Sequence, residues 1–208
     1  MIFLYFSEKI ILMNRFIFSF LCFLLISTLH SQEYSVVSPS GELRADVNAG
    51  QEIKFSVSLN GKEIISPSEI SLTINEVTLG KAVKSVKARY ESVNRVLEPV
   101  VRQKTDFVED VYNEIDLQFR GNYNLVFRAY DDGIAYRWES SLKDSVIVNN
   151  EEVNFVFPAD FTVWFPEETS MFTHQERAYI QLPLSEINEK RFSSVPALVD
   201  AGNNIKIA

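Results

Sequence analysis

From Leu43 onward, apolar and polar residues alternate with a period of two, and turn dipeptides cut the alternating runs at short intervals. Successive side chains of an extended strand point to opposite faces, so this period places one apolar face on each segment and fits no helix. "LRADVNA" puts Leu43, Ala45 and Val47 on one side, and "IKFSVSL" does the same with Ile53, Phe55, Val57 and Leu59. Asn60-Gly61 follows at once, the strongest short hairpin signal, and leads into "KEII". "ISLTI" resumes the alternation through Ile70, Leu72 and Ile74, and "VYNEIDLQF" sets Val111, Asn113, Ile115, Leu117 and Phe119 against Tyr112, Glu114, Asp116 and Gln118. Gly121-Asn122 predicts a two-residue turn into "YNLVFRAY". Asp132-Gly133, with the glycine supplying a positive φ, predicts another into "IAYRWES". "VNFVF" and "FTVWF" close the series on either side of Pro158-Ala159-Asp160. About ten short strands with turn chemistry between them, and no amphipathic helix, predict an all-β fold: a large antiparallel β-sandwich.

The amino terminus has a different character. Arg15 precedes the apolar run "FIFSFLCFLLIST", and small and polar residues follow, with a cut expected after Ser31. This is the pattern of a signal peptide over residues 1–31, with Met13 as an alternative start, and the run is short of the ~20 apolar residues that span a bilayer. Cys22 lies inside that run, and Leu21 before it is not the small residue that lipidation requires, so the exported chain is expected to lack cysteine. No Asn-x-Ser/Thr acceptor occurs, and a periplasmic location is the expectation. Removing residues 1–31 takes away Lys9, Arg15 and Glu8, so the net charge moves from −8 to −9. An acidic chain without a basic patch is no partner for nucleic acid, whose binding rests on neutralising phosphates. Residues 32–208 read as one domain without repeat or linker. The tail after Leu182 is mixed and turn-rich, and "NNIKIA" suggests a domain cut in mid-strand.

Candidate chemistry is sparse. Asp131 and Asp132 are adjacent, but neighbours around a turn do not converge, whereas glycosidase carboxyls stand ~5–9.5 Å apart across a substrate. No Ser/His/Asp or Cys/His arrangement and no phosphate-binding glycine loop is present. Trp138, Trp164, Tyr130, Tyr136 and Phe165 supply either a sugar-stacking platform or sandwich core, and core is the expectation. Arg128 and Arg137 alternate with apolar residues on one hairpin, which fits pairing with buried acids or covering apolar surface. The segment "EETSMFTHQERAYIQLPLSEI", residues 167–187, holds His174, the one histidine downstream of the leader, together with Glu167, Glu168 and Glu176. In an extended segment His174 and Glu176 point to the same side. Carboxylate oxygens suit Ca²⁺, which takes six to eight of them, so one or two side chains do not complete a shell. The residues alone leave a metal ligand and a solvated glutamate both open.

Three stretches in order, "VVSPSGELRADV", "LVFRAYDDGIAYRWES" and "THQERAYIQLPLSEI", carry a resemblance to the N-terminal domain of family 97 glycoside hydrolases, periplasmic α-glucosidases and α-galactosidases of Bacteroidota. The resemblance covers essentially all of residues 33–208. It implies a super-sandwich that packs on a downstream (β/α)₈ barrel, with the catalytic glutamates on the barrel and a Ca²⁺ in its pocket. One sandwich glutamate reaches that ion in the family, and Glu176 in "HQERAY" is the matching position; His174-Gln175 precedes it where members of the family vary. A barrel needs about 250 residues, so the chain is expected to be the amino-terminal piece of an α-glycosidase, to hold no catalytic residue, and not to hydrolyse α-linked oligosaccharides alone. A free-standing carbohydrate-binding or scaffold sandwich is the alternative.

Overall fold

The computed structural model describes residues 32–83, 86–101, 105–203 and 205–208. The expected leader, with Cys22 and the Met13 alternative start, lies outside the described residues. The described strands form three antiparallel sheets. The first carries β1 (Gln32–Val37), β2 (Leu43–Ala49), β3 (Ile53–Leu59) and β4 (Lys62–Ile74), with β5 (Val77–Leu79) against β4. The second runs in sequence order: β6 (Val86–Leu97), β7 (Val108–Phe119), β8 (Tyr123–Ala129) and β9 (Ile134–Ser140). β10 (Val148–Val153) returns to the first sheet beside β4. β11 (Thr162–Phe165), β12 (Ile180–Pro183), β13 (Leu198–Gly202) and β14 (Ile205–Ile207) make a smaller third sheet in the order β12-β11-β13-β14. The all-β antiparallel sandwich expected from the alternation is what forms. Among the described residues the one helical turn is a 3₁₀ turn at Leu184–Glu186, and no helix is long and apolar enough to cross a membrane.

The period of two explains the core. Ala45, Val47, Ile53, Phe55 and Val57 from the first sheet meet Ile115, Leu117, Leu125, Phe127 and Ala129 from the second in one buried cluster. Phe55 lies 5.9 Å from Phe127 and 6.1 Å from Tyr136, ring centre to ring centre. Each of the larger side chains contributes roughly 1.5–3 kcal/mol by leaving water, so a sandwich of this size holds together on apolar burial. The third sheet has its own small core of Val163, Phe165, Leu182 and Val199, and Phe157 and Ile207 touch both clusters.

Local details refine the turns and strand ends. Asn60-Gly61 is a two-residue loop with both φ angles positive (50° and 77°), which matches the right-handed strand twist. Between β7 and β8 the loop has three residues, because Phe119 pairs with Tyr123 and Arg120 joins Gly121-Asn122. Between β8 and β9, Tyr130 N–H donates to the Gly133 carbonyl at 2.8 Å, so Asp131-Asp132 form the turn and Gly133 does not take the expected positive φ. "KEII" and "ISLTI" are two ends of one strand. Pro67 cannot donate to a ladder, and the register slips beside it. The Ser68 hydroxyl, fully buried, accepts the Val156 N–H at 2.9 Å and donates to the Ser66 carbonyl. That contact pins Val156 as an isolated bridge, so "VNFVF" is not the strand its alternation predicts.

Candidate functional site

The outer face of the second sheet shows where Arg128 and Arg137 go. On β7 the residues opposite the core are Asp110, Tyr112, Glu114 and Asp116, all nearly buried. Neighbouring strands supply the cations: Arg95 Nη2 is 2.7 Å from Asp110, Arg128 Nε is 2.6 Å from Glu114, and Arg89 Nε is 3.7 Å from Asp116. The Arg128 guanidinium also lies 4.2 Å from the centre of the Tyr112 ring, and Tyr130 packs on Tyr112 at 5.0 Å. Arg137 pairs with Glu139 at 2.6 Å and reaches Glu114 at 3.8 Å. Both arginines pair with acids on this face, one of the two uses their alternation suggested.

The aromatics do not form one platform. Tyr136 and Trp138 pack on the main core, Phe165 is buried in the third-sheet core, Tyr130 sits on the charged outer face, and Trp164 is exposed. Asp131 and Asp132 are not an acid and base pair either. Asp131 Oδ1 accepts the Ser40 N–H at 2.7 Å, tying the β8–β9 turn to the β1–β2 turn, and this bond holds its carboxyl below the usual value.

The segment from Pro166 to Tyr179 joins β11 to β12 as a loop. Its entry is anchored on residues 191–194. Arg191 grips Glu167 with Nε at 2.6 Å and Nη2 at 3.0 Å, and the Glu168 N–H donates to the Phe192 carbonyl at 3.0 Å. Glu168 then turns inward, its side chain 3% exposed. Its Oε2 accepts Arg177 Nε at 2.9 Å and the Thr173 hydroxyl at 2.8 Å, and the Ser194 side chain also helps to hold the carboxyl ionised. Arg191 and Arg177 hold the Glu167 and Glu168 carboxyls below the usual range. Sequence reading listed both glutamates beside His174 and missed this clamp; separations of five and nine residues carry no periodic signal.

His174 and Glu176 lie outside any strand, since β12 starts at Ile180 and Gln175 has φ +58°. The same-side argument for an extended segment therefore does not apply. His174 Nδ1 accepts the Glu176 N–H at 3.2 Å, so the imidazole bonds to the backbone of Glu176. The Glu176 carboxylate is exposed and makes no hydrogen bond or ion pair among the described residues, whereas Glu167 and Glu168 are committed to arginines. Among the described residues no group of three or more His, Cys, Asp or Glu side chains could hold a metal. An unencumbered carboxylate offering at most two oxygens fits a Ca²⁺ ion as one contributor to a shell completed by other groups.

Comparison with known proteins bears on the whole body of the chain. Residues 36–208 match the family model described as "Glycosyl-hydrolase 97 N-terminal". A retaining alpha-galactosidase of Bacteroides thetaiotaomicron is 31% identical over 206 residues, covering 94% of this chain and 31% of its own length. The chain thus spans less than a third of that relative. Among solved structures, a beta-arabinopyranosidase superposes with a TM-score of 0.71 at 24% identity, over 84% of this chain and 31% of its own. A Glycoside Hydrolase Family 97 enzyme from Pseudoalteromonas sp. strain K8, in complex with panose, gives 0.64 at 20% identity, over 74% and 25%. These two likenesses concern the fold. With three antiparallel sheets in the described residues and a family match from Val36 to the last residue, the chain belongs to the glycosyl-hydrolase 97 N-terminal family.

Proposed function

We propose that residues 32–208 are the non-catalytic amino-terminal sandwich of an exported, Ca²⁺-dependent α-glycosidase acting on α-linked oligosaccharides. In this reading the sandwich packs on a (β/α)₈ barrel that carries the catalytic carboxylates, and Glu176 gives the ion one ligand. Membership of the N-terminal family carries the proposal, and the similarity to a retaining alpha-galactosidase along 94% of the chain supports the substrate class. Export to the periplasm rests on the leader-like pattern of residues 1–31. The role of Glu176 is supported by its exposed, unpaired carboxylate between two loop anchors. When bound, Ca²⁺ would supply positive charge at the sugar-binding pocket, and Glu176 would help fix its position.

Calorimetric titration with Ca²⁺ tests the reading. Residues 32–208 alone should bind only on the order of millimolar or worse, since water fills most of the shell. In a full-length family member carrying the same "HQERAY" stretch, Glu176→Gln should weaken Ca²⁺ affinity and activity sharply and leave the melting temperature measured without Ca²⁺ unchanged. Equal affinity in Glu176→Gln and wild type would refute Glu176 as a ligand. Turnover of aryl α-galactosides by residues 32–208 alone would refute the non-catalytic assignment.

A further inference from the structure

We propose that Glu168, Thr173 and Arg177 are positioning residues for Glu176: one buried carboxylate oxygen ties down the chain on both sides of His174-Gln175-Glu176 and so fixes where the Glu176 carboxylate is presented. The purpose of this clamp rests on the reading of Glu176 as a ligand; its geometry does not. Thr173 lies one residue before the triplet and Arg177 one residue after it, and both donate to Glu168 Oε2, at 2.8 and 2.9 Å. The Thr173 oxygen also accepts the Gln175 N–H at 3.2 Å, and His174 Nδ1 accepts the Glu176 N–H, so the triplet is tied internally as well. Arg177 Nη2 reaches the Thr169 hydroxyl at 3.5 Å, closing the loop on its entry.

Two features argue that the arrangement serves placement. The Glu168 side chain is only 3% exposed, and burying a carboxylate is costly. A buried ion pair is weak grounds for stability, since apolar residues of the same shape often do as well. Gln175 at φ +58° is the second feature. A left-handed φ on a long side chain is strained and persists where surrounding contacts impose it, commonly at functional sites. Here the anchors at Thr173 and Arg177 impose it.

The clamp makes a measurable prediction in this chain. Trypsin can cut after Arg177 only when the guanidinium leaves Glu168, so cleavage there reports local opening. Thr173→Val, which changes no charge, should speed cleavage at Arg177 roughly tenfold, the scale of one lost charge-assisted hydrogen bond. Thr173→Ser should restore the wild-type rate, and Glu168→Gln should behave like Thr173→Val. In Thr173→Val, cleavage elsewhere should not change. Wild-type cleavage in Thr173→Val, failure of Thr173→Ser to rescue, or faster cleavage at every site would each overturn the clamp. In a full-length family member with Glu, Thr, Glu and Arg at these four places, Thr173→Val should weaken Ca²⁺ binding roughly 10- to 100-fold, as for other groups that orient a metal ligand, and Thr173→Ser should restore it. If Glu176→Gln weakens the ion and Thr173→Val does not, the positioning role is wrong and the ligand reading stands. If Glu176→Gln has no effect, the ligand reading falls and takes the purpose of the clamp with it.

Discussion

Replacing Arg128 by Met would test whether the charged outer face of the second sheet is structural. Arg128 Nε stands 2.6 Å from Glu114, whose side chain is 10% exposed, while Arg128 itself is 27% exposed. At ~4 Å between charge centres and an effective dielectric near 20, the attraction is about 4 kcal/mol. Arg137 remains 3.8 Å from Glu114 after the substitution and is itself well solvated, so roughly half of that attraction is lost. The guanidinium's position over Tyr112 adds about 0.5–1 kcal/mol at a partly exposed site. The sum is about 2–3 kcal/mol, below the 3–5 kcal/mol typical of breaking a fully buried pair. For a domain of this size each kcal/mol moves the melting temperature by about 2–4 °C, so Arg128→Met should melt roughly 5–10 °C lower by circular dichroism. Glu114→Leu combined with Arg128→Met removes both charges and should recover most of the loss, because the penalty comes from stranding Glu114 in a desolvated position. A shift under 2 °C in Arg128→Met, or a double variant less stable than the single one, would refute this account and free Arg128 for another role.

Two further expectations follow from local geometry. Gly80 has φ +86°, and a Cβ there would lie 3.2 Å from Trp138 Cη2 and 3.3 Å from the Ile70 carbonyl oxygen, whereas Gly61, at φ +77°, faces open space. Both alanine variants should lose about 1–2 kcal/mol to the left-handed backbone, and Gly80→Ala should melt lower than Gly61→Ala because the Ile70 carbonyl cannot retreat; equal melting temperatures would contradict the crowding. Glu167, Glu168 and Asp131 are held below their ordinary values by Arg191, by Arg177 and by the Ser40 N–H respectively. Their unfolded values are near 4, so the unfolded chain takes up protons first, and the stability they contribute is present above about pH 5 and drains as pH falls through 4 and below. Urea midpoints at pH 7, 5 and 3.5 should show this decline, and a flat profile would contradict it.

The sandwich was legible because burial imposes a period of two, and the residues that obey it are readable one by one. "LRADVNA" and "IKFSVSL" coincide with β2 and β3 residue for residue. The reading failed where another force set the backbone. β6 escaped notice because most of its side chains are exposed on both faces, so no apolar alternation marks it. At Pro67 the missing N–H and the Ser68 hydroxyl join two runs into one strand, and the same hydroxyl pins Val156 outside any strand. The loop at residues 166–179 was not legible as geometry at all. Its anchors depend on the buried orientation of Glu168, and adjacent glutamates look alike in a sequence, although one pairs with Arg191 and the other with Arg177. Glu176 was singled out by resemblance to a family, and the residues alone left it between ligand and solvated side chain.

The distribution of charge in the structure sharpens that distinction. Asp110, Glu114 and Glu168 are each desolvated and each face an arginine, the arrangement expected when burying an anion would otherwise be prohibitive. A carboxylate placed at random on an acidic surface would be equally solvated, but nothing would need to restrict the backbone that carries it. Glu176 combines the two conditions in an unusual way: its carboxylate is free while its backbone is bonded to His174, and its flanks are bonded through Thr173 and Arg177 to one buried oxygen. Ordering a backbone costs about 1–2 kcal/mol per residue, and a merely solvated glutamate gains nothing from it. A side chain that must meet an ion held by another domain does gain, because the entropy is already lost before the partner arrives. Under the proposed ligand reading, the free carboxylate at Glu176 and the buried one at Glu168 are parts of one device, the second holding the first where a shell of other oxygens can use it.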